Sequence, residues 1–171
     1  MNKNKIFSLF IAGFMVLLLA GTVSCSDDRQ PPVVPKPMDG KARDFVLKDL
    51  SGRKFALSEH RGKPVLIIFS TTWCPTCRSE IPFYKKIHDT YVARGLIVIN
   101  IDIQEPLDKV SRFAKRYQMP YRVLLDDKGL VAQAYQIVGV PTMILLDQNG
   151  VLISRQYQAI EGLLEKLFRD S

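Results

Sequence analysis

Pro64-Val65-Leu66-Ile67-Ile68-Phe69-Ser70-Thr71-Thr72-Trp73-Cys74-Pro75-Thr76-Cys77 runs an apolar hexapeptide into two cysteines separated by two residues. The unbroken apolar run suits a strand covered on both faces, as in a parallel sheet. After it, Ile81, Tyr84, Ile87 and Tyr91 recur at helical spacing, so residues 74–94 are predicted as a helix that Gly95 closes. Both cysteines then fall at that helix's N-terminus. A thiolate there meets unpaired N–H groups and the positive end of the helix dipole, which lowers its pKa and makes it nucleophilic near neutral pH. Cys77, one turn on, is placed to attack a mixed disulfide formed at Cys74. Pro75 supplies a fixed φ where its missing N–H costs nothing.

Outward from this centre the pattern is α/β. Leu96-Ile97-Val98-Ile99-Asn100-Ile101 reads as a second buried strand, completing a βαβ unit. Upstream, Phe45-Val46-Leu47 and Phe55-Ala56-Leu57 flank Asp49-Leu50-Ser51-Gly52, an N-terminal β-hairpin. Downstream come a helix carrying Val110, Phe113, Ala114 and Tyr117, a strand at 122–125 and a short helix at 130–135. A hairpin follows, in which Asp147-Gln148-Asn149-Gly150 joins Met143-Ile144-Leu145-Leu146 to Val151-Leu152-Ile153. A helix over 160–169 ends the chain. Pro82 would kink the first long helix by removing the bond to the Arg78 carbonyl.

Other uses of two closely spaced cysteines fit less well. A structural zinc site wants four Cys or His ligands, and His60 and His88 are not at a paired spacing, so no metal is expected. Covalent haem needs a histidine where Arg78 stands. A peroxidatic cysteine is nearer, with Thr71 three residues before Cys74, but the proline that peroxiredoxins carry seven residues before is Ile67 here. Binding of a soft ion such as Cu(I) stays open.

The chain has 171 residues, a net charge of +7 and three cysteines, room for one domain and an odd number of sulfurs. Lys3 and Lys5 precede an uncharged, mostly apolar run from residue 6 to 23, which reads as a secretory signal, although 18 residues also just suffice for an uncleaved anchor. Gly21-Thr22-Val23-Ser24-Cys25 resembles a bacterial lipobox, with Thr22 in place of the usual leucine. That resemblance implies that residues 1–24 are a lipoprotein signal peptide and that Cys25 is lipidated. Removing them leaves 22 basic against 17 acidic side chains, a balance of +5. No basic run with interleaved aromatics occurs, so nucleic-acid binding is not expected. Residues 25–40 hold Pro31, Pro32, Pro35 and Pro37 and read as a tether, about 45 Å long when extended. The domain is expected at 41–171.

Gly139-Val140-Pro141-Thr142 immediately precedes a strand, a second feature independent of the cysteines. Together the two resemble the thioredoxin superfamily, whose members carry Trp-Cys-x-x-Cys after a strand and an X-Pro dipeptide before a later one. Within it the chain is most similar to the exported TlpA/ResA and cytochrome c-maturation thioredoxins. The hairpin, Trp73-Cys74-Pro75-Thr76-Cys77-Arg78-Ser79-Glu80-Ile81-Pro82, the insertion at 104–135 and the 139–150 stretch carry the likeness.

The resemblance implies a thioredoxin-like fold, a central mixed sheet flanked by helices with an N-terminal β-hairpin and a βα-type insertion. It implies a cis Val140–Pro141 bond against the cysteines, with Val140 presenting backbone groups to a substrate chain and Trp73, Pro75, Thr76 and Pro141 beside it. Ordinary thioredoxins bury an aspartate where Ile68 stands. The TlpA/ResA group has a glutamate three residues after the second cysteine, matched by Glu80, expected to be partly buried and to accept the Cys77 proton. The implied activity is thiol–disulfide exchange through a Cys74–Cys77 disulfide, with no other cofactor. The expected setting is a monomer on the periplasmic face of a bacterial inner or outer membrane, anchored there by Cys25. Implied partners are disulfide-bearing substrates such as apocytochrome c and a membrane electron donor of the CcdA/DsbD type. Disulfide formation, the reverse direction, and copper chaperoning are the competing readings.

Overall fold

The computed structural model describes residues 40–169. The expected signal peptide, all of the expected tether except Gly40, and Cys25 lie outside the described residues. In order, the elements are β1 (Val46–Asp49), β2 (Lys54–Ala56), β3 (Val65–Ser70), α1 (Pro75–Ser79), α2 (Ile81–Tyr91) and β4 (Ile97–Ile103). They continue with α3 (Leu107–Arg116), β5 (Arg122–Asp126), α4 (Leu130–Ala134), β6 (Thr142–Leu146), β7 (Leu152–Ser154) and α5 (Ile160–Arg169). One mixed sheet runs β2-β1-β5-β4-β3-β6-β7. Its centre, β5-β4-β3, is parallel, and the N-terminal hairpin and β6-β7 add antiparallel edges.

All six residues of β3 are buried, as the apolar run requires. Alternation divides them. Ile67 and Phe69 join Ile99, Ile101, Leu124 and Tyr135 on one face, packed by the hairpin and α4. Leu66 and Ile68 join Tyr84, Ile87, Val98, Ile160 and Leu164 under α2 and α5. Val110 of α3 meets Val123 and Leu125 in a smaller cluster tied to this second face through Met119. Truncating any of the fully buried aliphatics to alanine costs about 2–5 kcal/mol.

The long helix is in fact two. Pro82 has no N–H to give Arg78, and α1 ends at Glu80, whose N–H bonds Thr76 O at 3.1 Å while its carbonyl takes the Tyr84 N–H at 3.1 Å. In the β6-β7 turn Asp147 Oδ1 accepts the N–H groups of Asn149 and Val151, and Gly150 adopts φ +77°. A side chain at Gly150 would also strike the Arg61 guanidinium.

Candidate active site

β3 and β4 run parallel in register, Ser70 opposite Asp102, so the loop 71–73 leaves the carboxyl edge of the sheet before the chain turns into α1. Cys74 caps that helix with an extended backbone. Its Sγ accepts the Cys77 N–H at 3.2 Å, and its carbonyl takes the Arg78 N–H at 3.2 Å. Cys74 also donates to the Val140 carbonyl, 3.6 Å away, and the Val140–Pro141 bond is cis. The two distant features of the sequence therefore meet at one sulfur. Both cysteines are free thiols, only 5% and 3% exposed. Burial, then the bond with Cys74, pushes the Cys77 thiol up to about 12.

Trp73 stands 62% exposed beside the pair, with Pro75 and Thr76 also at the surface and Val140 and Pro141 half-buried. Val138, fully exposed, adds an apolar side chain to the segment leading into Pro141. The Thr142 hydroxyl donates to the Gly139 carbonyl at 2.7 Å and closes that segment.

Glu80 sits half-buried at the junction of α1 and α2. Among the described residues its carboxylate accepts a hydrogen bond from the Tyr157 hydroxyl and makes none to Cys77. Tyr84, whose buried hydroxyl has no hydrogen-bond partner, is raised by burial first and then by Cys77, Tyr157 and Glu80. That coupling places Cys77, Tyr84, Glu80 and Tyr157 in one neighbourhood. Tyr84 reads in the sequence only as a helix core position, and Tyr157 as nothing.

A pair of carboxylates lies under the loop. Glu105 accepts the Thr72 N–H and, at 2.7 Å, the Thr72 hydroxyl; Lys109 Nζ is 2.6 Å from the same carboxylate. Burial works to raise Glu105, but the bonds from Lys109, Thr72 and Asp102 outweigh it, and its pKa falls below the usual range. Asp102 is 2% exposed, and its Oδ1 has no partner. Burial, then the charge and hydrogen bond of Glu105, pushes Asp102 up to about 8. Folding thus favours the protonated form of Asp102 beside Glu105, beneath Thr72 and two residues in sequence before Cys74. The signal for it was the alternation Asn100-Ile101-Asp102, which puts polar side chains on one face of a buried strand; Asn100 pairs with Ser70 at 2.8 Å.

Residues 38–155 match the AhpC/TSA family. The thiol-disulfide oxidoreductase ResA of Bacillus thuringiensis subsp. konkukian is 31% identical over 164 residues, 95% of this chain and 91% of that protein. That of Geobacillus thermodenitrificans is 36% identical over 109 residues, 64% of this chain and 63% of that protein. Among solved structures, the thioredoxin domain of a thiol-disulfide oxidoreductase from Bacteroides vulgatus shares the fold, with a TM-score of 0.69 at 24% identity over 75% of this chain and 95% of that one. With the redox pair, the opposed X-Pro segment and these relatives in agreement, the chain belongs to the AhpC/TSA family, as a thioredoxin-like thiol-disulfide oxidoreductase.

Proposed function

We propose that the protein is a membrane-tethered, extracytoplasmic reductase of disulfides in exported proteins, with apocytochrome c as the leading substrate. The observation that carries this reading is the asymmetry of the pair. Cys74 Sγ receives an N–H at a helix start and faces Val140, while the Cys77 thiol is pushed up by burial and by Cys74. The relatives named ResA and the likeness to cytochrome c-maturation thioredoxins support the substrate. The lipobox and the proline-rich stretch support the tether.

Cys74 thiolate attacks one sulfur of the substrate disulfide, forming a mixed disulfide and releasing the other sulfur as a thiolate that takes a proton from water. Cys77 then gives up its proton, attacks Cys74 Sγ and expels the second substrate thiol. The substrate gains two electrons and two protons, and the protein is left with a Cys74–Cys77 disulfide. A membrane dithiol of the CcdA/DsbD type returns the electrons. The direction is tested by an equilibrium titration against glutathione and dithiothreitol together with insulin reduction. A potential near that of thioredoxin, about −270 mV, is expected, and one near −120 mV, that of DsbA, would reverse the assignment.

Glu80 is the base for the Cys77 proton in this scheme. Glu80→Gln is expected to slow resolution of a preformed mixed disulfide about 100-fold and to change the shape of its pH profile. Resolution with an unchanged rate and profile removes Glu80 from the mechanism.

A further inference from the structure

Beside the redox pair, the structure has a cleft of about 420 Å³ that the reductase scheme does not use. Thr72 forms one end, and Arg78, the residue after Cys77, borders it. Along its length α3 contributes Lys109, Arg112 and Arg116, over a floor of Phe113 and Tyr117. The two rings meet at a tilt of 44° with centroids 4.6 Å apart and are half-buried, whereas all four cationic side chains are exposed. Two carboxylates reach this region: Glu105 takes Lys109, and Asp108 takes Arg112 at 2.9 Å. Among the described residues, no carboxylate pairs with Arg78 or Arg116; Arg116 lies over the Tyr117 ring at 6.0 Å. The cleft thus carries an excess of two positive charges at the edge of the active site.

We infer that this cleft binds an acidic segment of the substrate polypeptide next to the disulfide under attack. The inference rests on the reductase reading and adds a substrate class to it. From Lys109 to Arg116 the helix rises about 10 Å, which matches three residues of an extended chain. A strand whose cysteine reaches Cys74 can therefore lay two or three flanking Asp or Glu side chains along α3. The Arg112–Asp108 pair is 73% and 67% exposed, so an incoming carboxylate displaces it at little cost. The aromatic floor packs the methylenes of glutamate better than a hydrated inorganic anion. A lipid surface suits the cleft less well, because a membrane lying on it would cover the adjacent cysteine pair.

The test uses the dithiol form of the protein and three disulfide-linked peptides identical except for flanking Glu, Gln or Lys residues, with hydroxyethyl disulfide as a small neutral control. At low salt the Glu peptide is expected to react about tenfold faster than the Gln peptide and the Lys peptide slower, with the difference shrinking as salt rises. In Arg112→Glu/Arg116→Glu the Glu:Gln rate ratio should fall to about one or below, and in Arg116→Gln to an intermediate value. Circular dichroism verifies that each variant is folded. Equal rates for the three peptides, or a ratio that survives charge reversal, overturns the inference. If hydroxyethyl disulfide is reduced normally, that outcome leaves the reductase reading standing; failure to reduce any disulfide overturns the reductase reading as well. Co-sedimentation with phosphatidylglycerol vesicles supplies the remaining arm: binding abolished by the double variant, alongside an unchanged peptide ratio, assigns the cleft to lipid and overturns the inference.

Discussion

Cys77→Ala will accumulate a mixed disulfide with its substrate and lose multiple turnover in insulin reduction, whereas Cys74→Ser will form no adduct at all. The asymmetry follows from the positions of the two sulfurs. Cys74 caps α1 and accepts the Cys77 N–H, so the first exchange needs only Cys74. Cys77 completes the cycle from inside the protein, 3% exposed and held up at about 12. At pH 8 a thiol of that pKa is thiolate in about one molecule in ten thousand, so wild type should show one thiol alkylated quickly by iodoacetamide and one that resists. Peptide mapping should put the fast label on Cys74. In Cys74→Ala the Cys77 thiol loses its hydrogen-bond partner but stays buried, and it should remain slow. Equal labelling of both cysteines, or a Cys77→Ala protein that turns over insulin like wild type, contradicts the assignment. Mass spectrometry of the trapped adduct from cells also names the substrate.

Local signals made most of the fold legible. A continuous apolar run of six suits a strand covered on both sides, and β3 is buried at every position. Asp-led turns ending in glycine marked both hairpins, and the amphipathic spacing after Ile160 placed α5 to the residue. The cysteine pair was legible for the same reason, since its chemistry follows from neighbours within one helical turn. The break at Glu80 shows the limit of a periodic pattern: Ile81, Tyr84, Ile87 and Tyr91 all lie within α2, so their spacing says nothing of the separate helix α1 that precedes it. The remaining parts depend on contacts between residues far apart in the chain. Glu105 reaches Thr72 across 33 positions and Tyr157 reaches Glu80 across 77. The antiparallel pairing of β1 with β5 likewise has no local mark. The sequence does show that the aspartate of ordinary thioredoxins is missing at Ile68. It does not show that the neighbouring strand supplies a buried carboxyl at Asp102, two positions beyond the residue opposite Ile68.

That carboxyl gives the protein an unusual expected stability profile. Asp102 keeps its proton in the folded chain up to about pH 8, whereas in the unfolded chain it titrates near 3.8. Between those values the folded state binds a proton that the unfolded state has released, so stability is fully present below about pH 4 and declines as pH rises toward 8. Glu105 acts in the opposite sense: its pKa is lowered by folding, so its contribution is present above the ordinary glutamate range and is lost as pH falls through its folded value. The contribution of this pair is therefore expected to be greatest near pH 4 to 5. At about 1.4 kcal/mol per pKa unit the decline from there to pH 8 is on the order of several kcal/mol. Cys77 stays out of this window, because a raised thiol pKa reduces stability only above pH 9. Asp102→Asn separates the proton from the shape: the amide fills the same space and can donate to Glu105 as the protonated acid does. Denaturant unfolding of the reduced protein at pH 4.5, 6, 7 and 8.5 should show the variant close to wild type in acid and more stable by several kcal/mol at pH 8.5, with a nearly flat profile between. Asp102→Ala, which leaves Glu105 without that donor and opens a cavity, should be weaker than the asparagine variant at every pH. Parallel wild-type and Asp102→Asn curves would mean that Asp102 is already ionised in the folded protein, and that the buried proton beneath the Thr72 loop does not exist.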